Sequence, residues 1–258
     1  MTTSPLRYPG GKTRACKKLD EIFINNFTNI KTIISPFIGG GSFELYLMNK
    51  YNVNIIANDK FKPLYSFWNT CKLNKIKLYN ILNTCTSITK EQFIQYRNII
   101  MTEEDELKQA YYYFIINRCS FNGSTLSGGF SQEASIKRFT KSSIEKINTN
   151  CLDKFSISNK DFEDFLLNNN NNESLLFLDP PYYLEVGSKL YGFSGDMHET
   201  FDHKKLYYIL SSRNNWMMTY NDCKYIRDLY KDFIIMDVDW SYGMNKSKKS
   251  SEIVILCN

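Results

Sequence analysis

The sequence predicts an α/β fold: a mostly parallel sheet with helices on both faces, plus a helical insertion. Three observations carry that expectation. Strand-like and helix-like runs alternate towards both ends of the chain. The run Ser174 to Leu178 is apolar after its first residue, as suits a strand covered on both faces in the middle of such a sheet. Residues 61 to about 120 keep a helical spacing that no strand signal interrupts, so the insertion falls after the second strand.

The first feature along the chain is Leu6-Arg-Tyr-Pro-Gly-Gly-Lys-Thr-Arg14, a stiff then pliable turn in which Lys12 is within reach of a carboxylate or phosphate. GGKT lacks the earlier glycine of a phosphate loop, so that pattern is not met. Leu19, Ile22, Phe23 and Phe27 then keep helical spacing. KTIISPF, ending at Phe37, reads as a strand, Gly39-Gly40-Gly41-Ser42 as a turn and Phe43 to Met48 as a helix opening, which points backbone amides at a ligand. The run from Tyr51 reads as a second strand ending at Asp59, 18 residues past Gly41, a spacing that suits an acid bonded to ribose hydroxyls. Together these describe a site for a nucleoside-containing cofactor.

The insertion, with Trp68, Leu78, Leu82, Phe93 and Leu107 to Ile116 at its periodic positions, ends in Asn117-Arg-Cys-Ser-Phe-Asn-Gly123. A polar loop follows, and its Gly128-Gly129 suits a hairpin turn. Arg118, Lys137, Arg138 and Lys141 interleave there with Phe121, Phe130 and Phe139. That composition fits phosphate contact and base wedging as well as it fits a solvated loop.

After Cys151, KFSISNKDFEDFLL is a strand followed by a helix. Asp161 and Phe162 at the junction suit the amino group and the face of an adenine, and equally a helix N-cap. Five asparagines from Asn168 form a low-complexity loop. The apolar run from Ser174 then meets Asp179-Pro-Pro-Tyr-Tyr183. Prolines carry no N–H and end the ladder, leaving a carboxylate, a carbonyl and aromatic faces on a stiff turn that can grip a flat molecule bearing an amino group. Asp202 is a helix start, and Tyr225 to Leu229 is helical. Trp216 to Tyr220, Phe233 to Trp240 and Glu252 to Cys257 are three more strands, the last two joined by a basic connection from Ser241 to Ser251.

Composition narrows the class. With 258 residues, 43% hydrophobic and 15% aromatic, the chain can bury a sizeable core and is not disordered. A formal charge of +5 is compatible with a polyanionic partner without requiring one. Seven cysteines without a CxxC pair favour reduced thiols in a cytosolic setting, and neither a signal peptide nor a membrane span is indicated. His198 and His203 lack the HExxH spacing, so no metal is expected.

RYPGGK, SPFIGGGS, NIIAND, NRCSFNG, NKDF and FLDPPYY, in that order, resemble the Dam-type S-adenosylmethionine-dependent DNA adenine-N6 methyltransferases over nearly the whole chain. The resemblance implies a Rossmann-like catalytic domain from 1–60 and 151–258, with a target-recognition domain at 61–150. It implies S-adenosylmethionine as cofactor and DNA, in duplex form, as partner, for a protein that is not secreted and is a monomer or weak dimer. Tyr8, Gly10, Gly11 and Lys12 would form the wall and carboxylate anchor of the cofactor site. Phe37, Gly39, Gly41 and Ser42 would form its glycine turn. Asp59 would take the ribose, Asp161 and Phe162 the adenine. Asp179, Pro180, Pro181 and Tyr182 would hold the target base, with Asp179 also bordering the cofactor. Arg118, Asn122, Lys137 and Arg138 would lie closest to DNA. The chain departs from the family pattern at Ser35, where an acid is usual, and after Asn122-Gly123, where it does not match the GATC-reading members.

The chemistry so implied is direct transfer to an exocyclic amine of a flipped base. Methylation of RNA adenine or of cytosine N4 uses similar chemistry, and a non-catalytic nucleic-acid-binding relative is the other alternative. Cytosine-C5 methylation is disfavoured, because no cysteine here follows a proline.

Overall fold

The computed structural model describes residues 3–169, 173–183, 201–240 and 250–258. Most of the basic connection after Trp240 and the last three residues of the asparagine run lie outside them. Strands β1 (Thr32–Ser35), β2 (Asn54–Asn58), β3 (Phe155–Ser158), β4 (Ser174–Leu178), β5 (Trp216–Asn221), β6 (Ile234–Trp240) and β7 (Ser250–Cys257) form one sheet in the order β3-β2-β1-β4-β5-β7-β6. Neighbours are parallel except at β7, which runs antiparallel to both β5 and β6. The expected mostly parallel α/β sheet is what forms.

The chain steps from β1 outward to β2 and β3, then returns to β4 on the other side of β1 and steps the opposite way. The carboxyl ends of β1 and β4 therefore flank the point where the strand order reverses, and in such sheets the crevice at that point binds ligands. β4 is buried at every position. Its alternation shows why. Leu175 and Phe177 join one apolar cluster, and Leu176 and Leu178 join the other, on the opposite face.

Helices α1 (Cys16–Asn26) and α2 (Ser42–Tyr51) cover the first face with Leu19, Phe23, Phe43 and Leu47. The connection from β2 to β3 holds α3 (Lys62–Leu73), α4 (Lys75–Asn83), α5 (Lys90–Ile99), α6 (Glu106–Cys119), α7 (Gln132–Lys137) and α8 (Lys141–Thr149). Of these, α3 packs on the sheet itself, its Trp68 ring 5.6 Å from that of Phe155 in β3. Helices α9 (Phe162–Leu167), α10 (His203–Ser211) and α11 (Lys224–Leu229) cover the second face with Phe165, Leu206 and Ile226.

Three local expectations need correction. Tyr51 closes α2, and β2 begins only at Asn54, because Asn52 takes the left-handed conformation (φ 59°) that stops the helix. The hairpin expected at Gly128-Gly129 does not form. Short 3-10 turns at Phe121–Gly123 and Thr125–Ser127 fill the segment, and a single antiparallel bridge joins Ser120 to Phe130. Part of the polar loop is helix α7, whose start is capped by the Ser131 side chain accepting from the Ala134 N–H.

Among the described residues no helix is long and apolar enough to cross a membrane, and no cluster of His, Cys, Asp and Glu suits a metal ion.

Candidate active site

A cavity of about 900 Å³ opens where the strand order reverses. It is bounded by the amino-terminal turn, the glycine turn after β1, the ends of β2 and β4, and residues of the helical segment that include Tyr113, Asn122 and Thr125.

The glycine turn is shaped by what packs beneath it. Gly39 and Gly41 have φ of 47° and 61°, a region that side chains strain to enter. A Cβ on Gly39 would stand 2.9 Å from the Tyr8 ring, and one on Gly41 would stand 3.1 Å from Trp68. The space freed by the glycines is thus filled by Tyr8 and Trp68, not left for a ligand. Trp68 also donates its indole N–H to the Gly39 carbonyl at 3.0 Å. Gly41 caps α2, which begins at Ser42, so the first amides of that helix face the cavity side of the turn.

Asp59 is buried at the end of β2, accepting from the Gly39 and Phe61 amides at 3.1 and 3.0 Å. Burial pushes its carboxyl up to about 6 despite those two bonds. Its neighbour Asn58 joins three strand ends, donating to the Pro36 and Lys160 carbonyls at 3.2 and 3.0 Å. Asp161 caps α9 by accepting from Glu163 N–H and also pairs with Lys60 at 2.9 Å. The N-cap reading and a place on the cavity wall therefore hold together. Phe162, Phe37 and Phe201 form a three-ring group with centroids 5.2 to 5.7 Å apart. Phe201 belongs to this wall, although its spacing alone gave no sign of it.

At the other side of the cavity, Lys12 is 4% exposed and donates to both Asp179 oxygens, at 2.9 and 3.0 Å. It also reaches the Gly10 carbonyl and the Tyr182 hydroxyl, both at 2.9 Å. Lys12 is thus engaged by Asp179, where the sequence suggested a cation turned to the carboxylate of a ligand. Glu252, from β7, stands 3.9 Å from the same ammonium. Glu44, from α2, is fully buried beside them and accepts from the Ser35 hydroxyl at 2.7 Å. Burial, with some help from the Asp179 charge, pushes the Glu44 carboxyl up to about 7. A carboxylate therefore lies next to Ser35, where the sequence pattern lacks one, but it is supplied by a helix.

Pro180 and Pro181 end the ladder that β4 shares with β5, and side chains of β5 take over. Thr219 donates to Asp179 Oδ1 at 2.7 Å, Tyr220 to the Pro181 carbonyl at 3.2 Å and Asn221 to the Tyr183 carbonyl at 2.9 Å. Consecutive strand residues grip alternate residues of the turn. Sequence reasoning missed Thr219, Tyr220, Asn221, Glu44 and Glu252.

Of the residues expected closest to nucleic acid, Arg118, Lys137 and Arg138 do not line the cavity. Asn117 clamps the amino-terminal turn by accepting from Arg7 N–H at 2.8 Å and donating to the Arg7 carbonyl at 2.5 Å. Gly123 leaves room for Arg7, since a Cβ there would lie 2.8 Å from it. Arg118 donates to the Arg138 and Pro5 carbonyls, so part of its fork serves the fold. Burial first, and then the charges of Arg7 and Arg138, lower its pKa to about 10. Lys137 is exposed and paired with Glu133 within α7, and Asn122 borders the cavity with a φ of 54°.

The chain is 24% identical over 201 residues to the type II methyltransferase M.MjaIII of Methanocaldococcus jannaschii, covering 69% of this chain and 68% of that one. It is 22% identical over 246 residues to the type II methyltransferase M.CviBI of Paramecium bursaria Chlorella virus NC1A, covering 92% and 90%. A third match, to a family as a whole, spans residues 8–244 and takes in the glycine turn, the proline turn and the helical segment alike: the chain belongs to the D12 class N6 adenine-specific DNA methyltransferases.

Proposed function

We propose that this enzyme transfers a methyl group from S-adenosylmethionine directly to N6 of an adenine turned out of duplex DNA, with no covalent intermediate. The observation that carries the reading is the Asp179 turn. A carboxylate fixed by Lys12 and Thr219 sits beside two proline carbonyls in the wall of a cavity large enough for a nucleoside.

The family implies an S-adenosylmethionine donor, and the residues present fit one. Asp59 is a buried acceptor at the end of β2 for ribose hydroxyls. Asp161 can accept from an adenine amino group, and Phe37, Phe162 and Phe201 supply aromatic faces. Tyr8, Gly10, Gly11, Gly39, Gly41 and Ser42 border the remaining length of the molecule. Bound there, the donor supplies a methyl group made electrophilic by its sulfonium.

An adenine amine is a poor nucleophile because its lone pair is delocalised into the ring. Accepting its two N–H groups at Asp179 and at the Pro180 carbonyl favours a tetrahedral nitrogen and frees the lone pair. Acceleration then comes from positioning and fixed electrostatics. Lys12 orients the carboxylate and offsets its charge. Tyr182 offers a ring at the edge of the target base, and turning that base out of the duplex costs a few kcal/mol.

Burial first, and then neighbouring positive charge, lowers the pKa of Arg7 (from Arg138) and of Arg118 (from Arg7 and Arg138), a like-charge group that a phosphate backbone would relieve. Phe121, 63% exposed between Arg118 and Asn122, is suited to wedge into the gap left by the base.

The test is incubation with labelled S-adenosylmethionine and duplex DNA, followed by digestion to nucleosides. Label in N6-methyladenosine of the deoxy series supports the reading. Label in N4-methylcytosine, incorporation with RNA alone, or binding without incorporation would each replace it.

A further inference from the structure

We propose that His203 and Tyr220 are positioning residues for methyl transfer, joined in a directed hydrogen-bond chain from His203 Nδ1–H to the Tyr220 hydroxyl to the Pro181 carbonyl. The kinetic part of this proposal rests on the function proposed above; the direction of the chain does not.

The direction follows from counting protons. The Tyr220 hydroxyl lies 3.2 Å from the Pro181 carbonyl and in hydrogen-bond contact with His203 Nδ1. It has a single proton to give. A carbonyl can only accept, so the proton goes to Pro181, and the phenolic oxygen must accept from His203. That requires the proton of His203 to sit on Nδ1. The opposite arrangement would leave the Pro181 carbonyl without this donor, and its peptide has no ladder to replace it. Burial raises the Tyr220 phenol well above its ordinary value, so it stays a donor.

The pair is closely packed. His203 opens α10, just after Asp202, which caps the helix by accepting from Lys205 N–H at 2.9 Å. The residue is 9% exposed and its ring lies edge-on to Phe201, Tyr183 and Tyr225, at 4.9, 5.4 and 6.4 Å. Phe201 is also part of the aromatic wall of the cavity. The Tyr220 ring stacks on that of Tyr182 at 5.5 Å and 23°.

Tyr220 therefore fixes both the carbonyl that enters the Pro181–Tyr182 peptide and the ring that follows it. Thr219 fixes Asp179 from the adjacent position. Neither His203 nor Tyr220 needs to touch the base. They set the orientation of the groups that do, and through His203 the start of α10 is tied to the turn.

The experiment has two arms. In the first, the protein is labelled with 15N-histidine and its ring nitrogens are observed by NMR near neutral pH. The chain has two histidines, so a His203→Asn sample assigns the signals. The expected result is a protonated Nδ1 on His203 whose resonance shifts in Tyr220→Phe. An unprotonated Nδ1 would overturn the chain whatever the enzyme does.

In the second arm, Tyr220→Phe and His203→Leu are each expected to lower kcat about tenfold with little change in KM for DNA or in cofactor affinity. The double variant should be no slower than the worse single variant. His203→Asn, whose amide N–H can reach the Nδ1 position, should recover most of the rate that His203→Leu loses. Multiplying effects, no recovery by Asn, or a loss confined to KM would each overturn the positioning role. Absence of turnover in the unsubstituted protein would count against the proposed function, and the NMR arm would still decide the chain.

Discussion

Lys12 and Asp179, 167 positions apart in the chain, meet at 2.9 and 3.0 Å in the wall of the cavity, with the lysine 4% exposed. The contact joins the amino-terminal turn to the proline turn after β4. Glu252 stands within 3.9 Å of the same ammonium, so one buried cation serves more than one carboxylate. Lys12→Met is expected to destabilise the fold by about 1–3 kcal/mol, since the ammonium it removes is buried while the Asp179 carboxylate it leaves is partly exposed, and to abolish turnover. Lys12→Arg should not restore activity, because a planar fork cannot replace a compact ammonium with donors to Gly10, Asp179 and Tyr182. Denaturant unfolding together with a turnover assay checks this, and unchanged stability in Lys12→Met would count against the pairing.

Glu44 makes stability depend on pH. Its carboxyl rises from an ordinary 4.5 to about 7, chiefly through burial, and Asp59 rises from 3.8 to about 6 for the same reason. The folded state thus holds protons that the unfolded chain has already released. The stabilisation is full below the unfolded values and is lost as pH rises through the folded ones. Melting temperature is expected to fall between about pH 4 and about pH 7, and Glu44→Gln should reduce that fall, gaining most over the parent at the higher pH. An equal difference at both ends of the range would contradict the assignment.

Gly41→Ala should damage the glycine-turn side of the cavity, where the cofactor is proposed to bind. The residue combines a φ of 61° with a Cβ position 3.1 Å from the buried Trp68 ring, so either the turn or the indole must give way. A loss of about 1–3 kcal/mol in stability is expected. Weaker S-adenosylmethionine binding, read by calorimetry, should accompany it.

Phe121→Ala should separate base extrusion from chemistry. At 63% exposure the ring contributes little to the fold, so stability should stay within about 0.5 kcal/mol of the parent. Turnover on fully paired DNA should fall more than turnover on DNA whose target adenine is mismatched, since a mismatched base costs less to turn out. Equal losses on both substrates would remove Phe121 from that role.

Features encoded in short stretches were legible in the sequence. The apolar run of β4 and the prolines after it specify a buried strand and a stop, and both form where expected. The spacing from the glycine turn to Asp59 also translated into a shared wall, with Gly39 N–H bonded to the Asp59 carboxylate. What could not be read was set by register. Thr219 meets Asp179 only because β5 lies beside β4 with Leu178 opposite Met218, and Glu252 arrives through the antiparallel pairing of β7 with Asn221. Glu44 comes from a helix face that periodicity marks as buried without saying what it borders. The hairpin reading failed because Gly128-Gly129 permits several turns, and the backbone of Phe121 to Ser127 closes on itself in 3-10 geometry first.

The role proposed for Asp179, acceptor of the amine of the target base, is tested most directly by methyl transfer in Asp179→Ala alongside its binding of S-adenosylmethionine. The expected result is no detectable N6-methyladenine in duplex DNA while cofactor binding largely survives. Turnover retained by Asp179→Ala would contradict the role assigned to the carboxylate and, with it, the account of the turn.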